Sequence, residues 1–154
     1  MSRPDLFLDS SALFAGVVSA DGAARGLLLL GEAGLVTITV SEQVVTETER
    51  AVARKVPGAL AYYREALRSS GLRIVRDPSP EEVAAHRDIV VHEADVPIVV
   101  AAMKARVDYL VSFNRRHFID DPGVAARSGL RIGTAGDALA WVRKRLTGEE
   151  EGGE

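Results

Sequence analysis

Apolar positions along the chain fall into two alternating kinds of pattern. Residues 6–8 are three consecutive apolar residues, Leu6-Phe7-Leu8, as in a strand covered on both faces. Residues 23–32 read as a helix with Leu27, Leu28 and Leu30 on its buried side, and Gly34 as its stop. Residues 35–40 are rich in β-branched side chains and predict a second strand. Ser41 is a good N-cap for a helix over 42–55, in which Val44, Val45, Thr48, Ala51 and Val52 share one face. Pro57 and Gly58 open another helix to about residue 70, with Leu60, Tyr63 and Leu67 as its inner stripe. A third strand over 72–75 follows, then a turn at 77–80 and a helix from Glu81 to about His92. Residues 96–103 are apolar nearly all round, with Pro97 in the first turn where proline is tolerated. A fourth strand covers 107–112, a turn 120–123, and a short fifth strand 130–132. Thr134 caps a last helix to about residue 146, with Leu139 and Trp141 facing inward. Strands alternate with helices and no connection resembles a tight hairpin. The expected fold is therefore α/β: three layers, α/β/α, around a central, mostly parallel sheet of four to five strands.

Composition narrows the class without naming a chemistry. With 154 residues, 47% of them apolar, the chain suits one globular domain over 1–146, followed by an acidic, disordered tail at 147–154 (TGEEEGGE). The absence of cysteine excludes disulfides and thiolate metal sites. No apolar run approaches the ~20 residues of a membrane span, and no basic-then-apolar signal opens the chain, so a cytoplasmic protein with no membrane partner is expected. The net charge of −3 argues against a general electrostatic grip on nucleic acid. It leaves room for a local basic rim around an acidic site.

The candidate chemistry is a set of acids that this fold would gather. Asp9 directly follows the first strand, and parallel α/β sheets bind ligands outside the carboxyl ends of their strands. The competing role for Asp9 is to cap the next helix. On the helix over 42–55, Glu47 flanks the buried face beside Val44 and Ala51, and Glu49 flanks it beside Val45 and Val52. Periodicity does not choose between them. Asp95 opens the apolar helix, where an N-cap role competes equally. Asn114 follows the fourth strand and leads into Arg115, Arg116 and His117. His117 and Phe118 read as a packed anchor, while the arginines are either a phosphate-contacting rim or a solvated loop. Carboxylates from separate elements are what Mg²⁺ or Mn²⁺ takes, and such an ion activates water beside a phosphodiester. No phosphate-binding Gly-x-x-x-x-Gly-Lys-Ser/Thr run exists. A phosphate-accepting Asp9 would want an acid two residues on, where Ser11 stands.

Four stretches carry a family likeness: LDSSALFAGV from Leu8, SEQVVTETERAV from Ser41, DVPIVVAAMKARVDYLVSFNRRHF from Asp95, and the final helix. Together they resemble PIN-domain proteins of the small single-domain type that includes VapC-like toxin ribonucleases. The resemblance spans residues 6–146. It implies a metal-dependent endoribonuclease that hydrolyses RNA phosphodiesters, leaving 5′-phosphate and 3′-hydroxyl ends. It favours Glu47 over Glu49 and implies Asp9, Glu47 and Asp95 as ligands of Mg²⁺ (or Mn²⁺), with Asn114 completing the catalytic set. Ser10, Ser11 and Ser112 would hold the carboxylates, and Arg115 and Arg116 would meet RNA. A homodimer and, for a toxin, an antitoxin partner are further implications. The family often has an acid where Asn114 stands. An uncharged residue there supports the alternative reading, a catalytically silent PIN module that binds RNA or a protein partner.

Overall fold

The first strand, β1 (Asp5–Leu8), is the centre of the sheet because its side chains can be buried on both faces: Leu6, Phe7 and Leu8 are fully buried. In the computed structural model, which describes residues 3–148, β1 pairs in parallel with β2 (Thr37–Ser41) on one side and β4 (Tyr109–Val111) on the other. The register sets Leu6 beside both Ile38 and Tyr109. β3 (Arg73–Val75) extends the sheet beyond β2, and β5 (Arg131–Gly133) extends it beyond β4, giving the order β3-β2-β1-β4-β5. All these pairings are parallel, so the expected three-layer α/β/α architecture stands with a five-stranded, wholly parallel sheet. The chain leaves β1 for neighbours on opposite sides. The crevice above the carboxyl ends of β1 and β4 is thus the switch point where such sheets bind ligands.

Local sequence signals place most helices. α1 (Ser10–Val18) and α2 (Ala23–Glu32) follow β1 and pack on each other. Gly16 lies at their crossing, where a Cβ would stand 2.7 Å from Leu28 Cδ1. α3 (Glu42–Lys55) begins at Ser41, whose hydroxyl accepts the Val44 amide, and buries Val44, Thr48 and Val52. A single 3₁₀ turn (Pro57–Ala59) precedes α4 (Leu60–Ser69), and Tyr63 is its fully buried side chain. α5 (Pro80–Ala85) carries a capping box between Ser79 and Glu82. A second 3₁₀ turn (Glu93–Asp95) leads into α6 (Val96–Ala105), which is buried on most sides. α7 (Pro122–Ser128) and α8 (Ala135–Thr147) complete the fold.

Three expectations are corrected. The helix from Glu81 does not reach His92: α5 ends at Ala85, and residues 87–92 form turns and bends. Its C-cap, His86, is drawn back by its own amide onto the Val83 carbonyl, and only Ile89 and Val90 of the following stretch are buried. The turn at 120–123 is instead the start of α7, with Asp121 as its N-cap and Pro122 in its first turn. Thr147, expected in the tail, ends α8, and Gly148 caps it in the left-handed region at φ 78°. The remaining tail residues, 149–154, lie outside the described residues. Among the described residues no single helix is long and apolar enough to cross a membrane.

Candidate functional site

Asp9 stands where β1 hands over to α1, and its amide donates to the Val111 carbonyl of β4, which fixes it at the switch point. It is only 6% exposed. Its Oδ1 accepts the Ser11 hydroxyl at 2.7 Å and the Ala12 amide at 2.9 Å, and its Oδ2 accepts the Ser112 hydroxyl. The cap of α1 and the bond to Ser112 therefore belong to one carboxylate. Burial pushes its pKa above the ordinary carboxylate value; the Ser112, Ser11 and Ala12 hydrogen bonds oppose that rise, and the charge of Asp95 adds to it.

Asp95 occupies the cap position of α6 but its side chain caps nothing. It turns instead to His117, whose Nδ1 lies 2.7 Å from Oδ2. The same Nδ1 lies 2.8 Å from the Asn114 amide nitrogen. One ring nitrogen either donates to a carboxylate or accepts from an amide, so His117 serves Asp95 or Asn114 according to its tautomer. Asn114 is also bound by its backbone: its amide donates to Ser112 Oγ at 2.9 Å, and its side-chain oxygen accepts the His117 amide at 3.3 Å. A continuous network thus runs from Asp9 through Ser112 and Asn114 to His117 and Asp95.

The other expected residues are placed less centrally. Ser10 is the first residue of α1 and is half-buried. Glu47 is exposed on α3 and accepts a hydrogen bond from Gln43 at 3.1 Å. Glu49, the residue periodicity could not separate from it, faces Arg64 at 3.6 Å. Arg115 lies 3.6 Å from Asp120, and Arg116 is exposed on the same short π-helical turn, Arg115–Ile119. His117 is the member that sequence reasoning missed: Phe118 is the buried anchor, while His117 faces the acids. His92 stacks on it, ring centroids 3.4 Å apart and planes 23° from parallel. Neither residue carries a periodic signal, since both lie in non-repeating turns. Beside Asp95, a cleft of about 690 Å³ opens between α5 and α6, lined in part by Arg87, Val91, Glu93, Val96 and Pro97.

The family model for the PIN domain matches residues 5–116, which include Asp9, Asp95, Ser112 and Asn114 and end one residue short of His117. The chain belongs to the PIN-domain family. This PIN chain has the fold of PAE2754 from Pyrobaculum aerophilum, at 16% identity over 91% of this chain and 90% of that one, TM-score 0.63. It is similarly related to FitAcB from Neisseria gonorrhoeae, at 17% identity over 84% and 97% of the two chains, TM-score 0.56. VapBC2 from Rickettsia felis, solved bound to a DNA fragment from its promoter, matches at 17% identity over 84% and 98%, TM-score 0.57. At these identities the likeness is one of fold. No curated protein matches the sequence.

The donor set of this PIN domain does not make the three-acid metal centre that the family likeness implies. Among the described residues, no group of three or more His, Cys, Asp or Glu side chains converges on a point fit for a metal ion. Both oxygens of Asp9 are engaged by the protein, Asp95 is engaged by His117, Glu47 by Gln43, and Asn114 is uncharged.

Proposed function

We propose that this chain is a PIN module that binds RNA at the switch-point edge and does not cleave it in the arrangement described above. The observation that carries the reading is the engagement of Asp9 and Asp95 by Ser11, Ser112 and His117, with no third acid joining them among the described residues. Arg115 and Arg116, one turn beyond Asn114, supply the positive charge that a phosphate backbone needs there. The test is calorimetric titration with Mn²⁺, run beside a cleavage assay on end-labelled RNA. The expected result is RNA that is bound and left intact, with no Mn²⁺ site that Asp95→Asn removes. A Mn²⁺ site lost in both Asp9→Ala and Asp95→Asn, together with cleavage, would overturn it.

That opposite result belongs to a second reading, a Mg²⁺-dependent endoribonuclease. One observation favours it: Asp9 and Asp95 are close enough for the charge of one to raise the proton affinity of the other. Mg²⁺ is often held by one or two carboxylates plus waters and substrate phosphate. On that reading Asp9 and Asp95 are the primary ligands, Glu47 acts through water, and Asn114 orients a water without adding charge. A toxin role would add an antitoxin partner, as the likeness to VapC-like toxins implies. A small antitoxin reading frame beside this one, co-purifying with it, would support that role.

A further inference from the structure

We propose that Phe113 and His92 are base-stacking platforms that hold single-stranded RNA across the Asp9–Asp95 pair. The proposal rests on the RNA-binding reading and names the kind of RNA and the residues that select it.

Two exposed rings stand near the acids, and for one of them, Phe113, exposure runs against the usual preference for burial. β4 is buried from Tyr109 to Val111, and Ser112 is buried too, but Phe113 turns outward and is 43% exposed. Phe118, five positions on, is the ring that the core takes. The backbone of Phe113 is nonetheless anchored, because its amide donates to Ser11 Oγ at 3.0 Å and Ser11 in turn donates to Asp9. His92 is exposed as well, and its ring is held flat against His117, which faces Asp95. Each carboxylate thus has one exposed ring a single residue removed from it: Phe113 through Ser11 for Asp9, and His92 through His117 for Asp95.

Exposed rings on an anchored backbone suit the stacking of nucleobases, which is tolerant of sequence because every base has a π-face. Only single strands, loops and ends expose those faces; in A-form duplex the bases are already stacked. The surroundings agree with a strand rather than a helix. Arg115 and Arg116 follow Phe113 within three residues, and the Arg115–Asp120 pair is solvent-exposed and so readily exchanged for phosphate. Next to His92, Val91 is 82% exposed and lines the cleft with Val96 and Pro97, an apolar wall for the nucleotide beyond the ring.

The test is fluorescence anisotropy of the full chain with a labelled oligoadenylate and with an abasic strand of the same length, in chelator so that no cleavage intervenes. Phe113→Ala and His92→Ala should each raise Kd for oligoadenylate by roughly 5- to 150-fold, the range found for loss of a stacked base. Phe113→Trp and His92→Phe should restore binding, and the same RNA annealed into a duplex should compete poorly. The abasic strand should bind all these variants alike, and Arg116→Ala should weaken both strands. Equal affinity of the unaltered protein for the two strands would overturn the platforms, as would unchanged affinity in Phe113→Ala while Arg116→Ala loses binding. In either case the RNA-binding reading survives. Failure of the unaltered protein to bind either strand would remove that reading and this proposal with it.

Discussion

Asp9 does two jobs with one carboxylate, and the two can be separated by substitution. It caps α1 through the Ala12 amide and satisfies the buried Ser112 hydroxyl. Asp9→Ala removes both, which should cost roughly 2–3 kcal/mol, about one for the cap and the rest for an orphaned buried hydroxyl. Asp9→Asn keeps an oxygen at the cap and should cost less. Asp95→Ala should cost under about 1 kcal/mol, because Asp95 caps nothing and its partner His117 is partly exposed. Urea midpoints of the three variants measure these differences; equal losses for Asp9→Ala and Asp95→Ala would contradict the assignment. Sequence alone could not rank the two acids, since both stand before a helix. The difference lies in which neighbours the fold brings to each.

At the scale of elements, Tyr63 joins α4 to α3. Its ring is fully buried and its hydroxyl donates to the Val45 carbonyl at 2.9 Å. Burial, helped by the charge of Glu49, pushes its pKa from 10.0 up to about 12. The native state therefore holds this proton more tightly than the unfolded chain does. The stabilisation is fully present below pH 10.0 and is lost as the pH rises through about 12. Ultraviolet titration of the native protein should show one of its three tyrosines ionising near 12, and Tyr63→Phe should remove that phase. The same substitution should cost about 1 kcal/mol at neutral pH, through the hydrogen bond lost at Val45. Element boundaries were legible where a cap or a stop marked them, as at Ser41 and Thr134. They mislead at 81–92, where EEVAAHRDIVVH holds no glycine or proline to mark the stop after Ala85, and at 120–123, where Asp121 and Pro122 suit a turn and a helix start alike.

At the scale of the whole molecule, metal binding becomes a stability measurement. A true site saturated about a hundredfold would add ~2.7 kcal/mol, or roughly 5–10 °C in Tm for a domain of this size. The expectation here is no such shift with millimolar Mg²⁺ or Mn²⁺, and no difference between the unaltered protein and Asp95→Asn in thermal scans. A rise of that size that Asp95→Asn abolishes would favour the nuclease reading. The expected homodimer is checked by sedimentation of the full chain, with a mass above 16.5 kDa as the supporting outcome.

The sequence by itself determined the alternation of strand and helix, the parallel sheet, and the position of Asp9 at a strand's carboxyl end. These follow from local rules: apolar runs, 3.6-residue faces, caps, and the lack of hairpins. It also held the family likeness, in stretches that lie largely within the matched residues 5–116. Only the tertiary structure decided which side chains meet. Ser112 reaches Asp9 across 103 positions, and His117 reaches Asp95 across 22. No periodicity encodes such distances, because they depend on how β1 and β4 are set side by side and how the turn after β4 folds back over α6. For the same reason Glu47, well placed by the likeness, is tied to Gln43 on its own helix, and His117, which looked like an anchor, faces the acids.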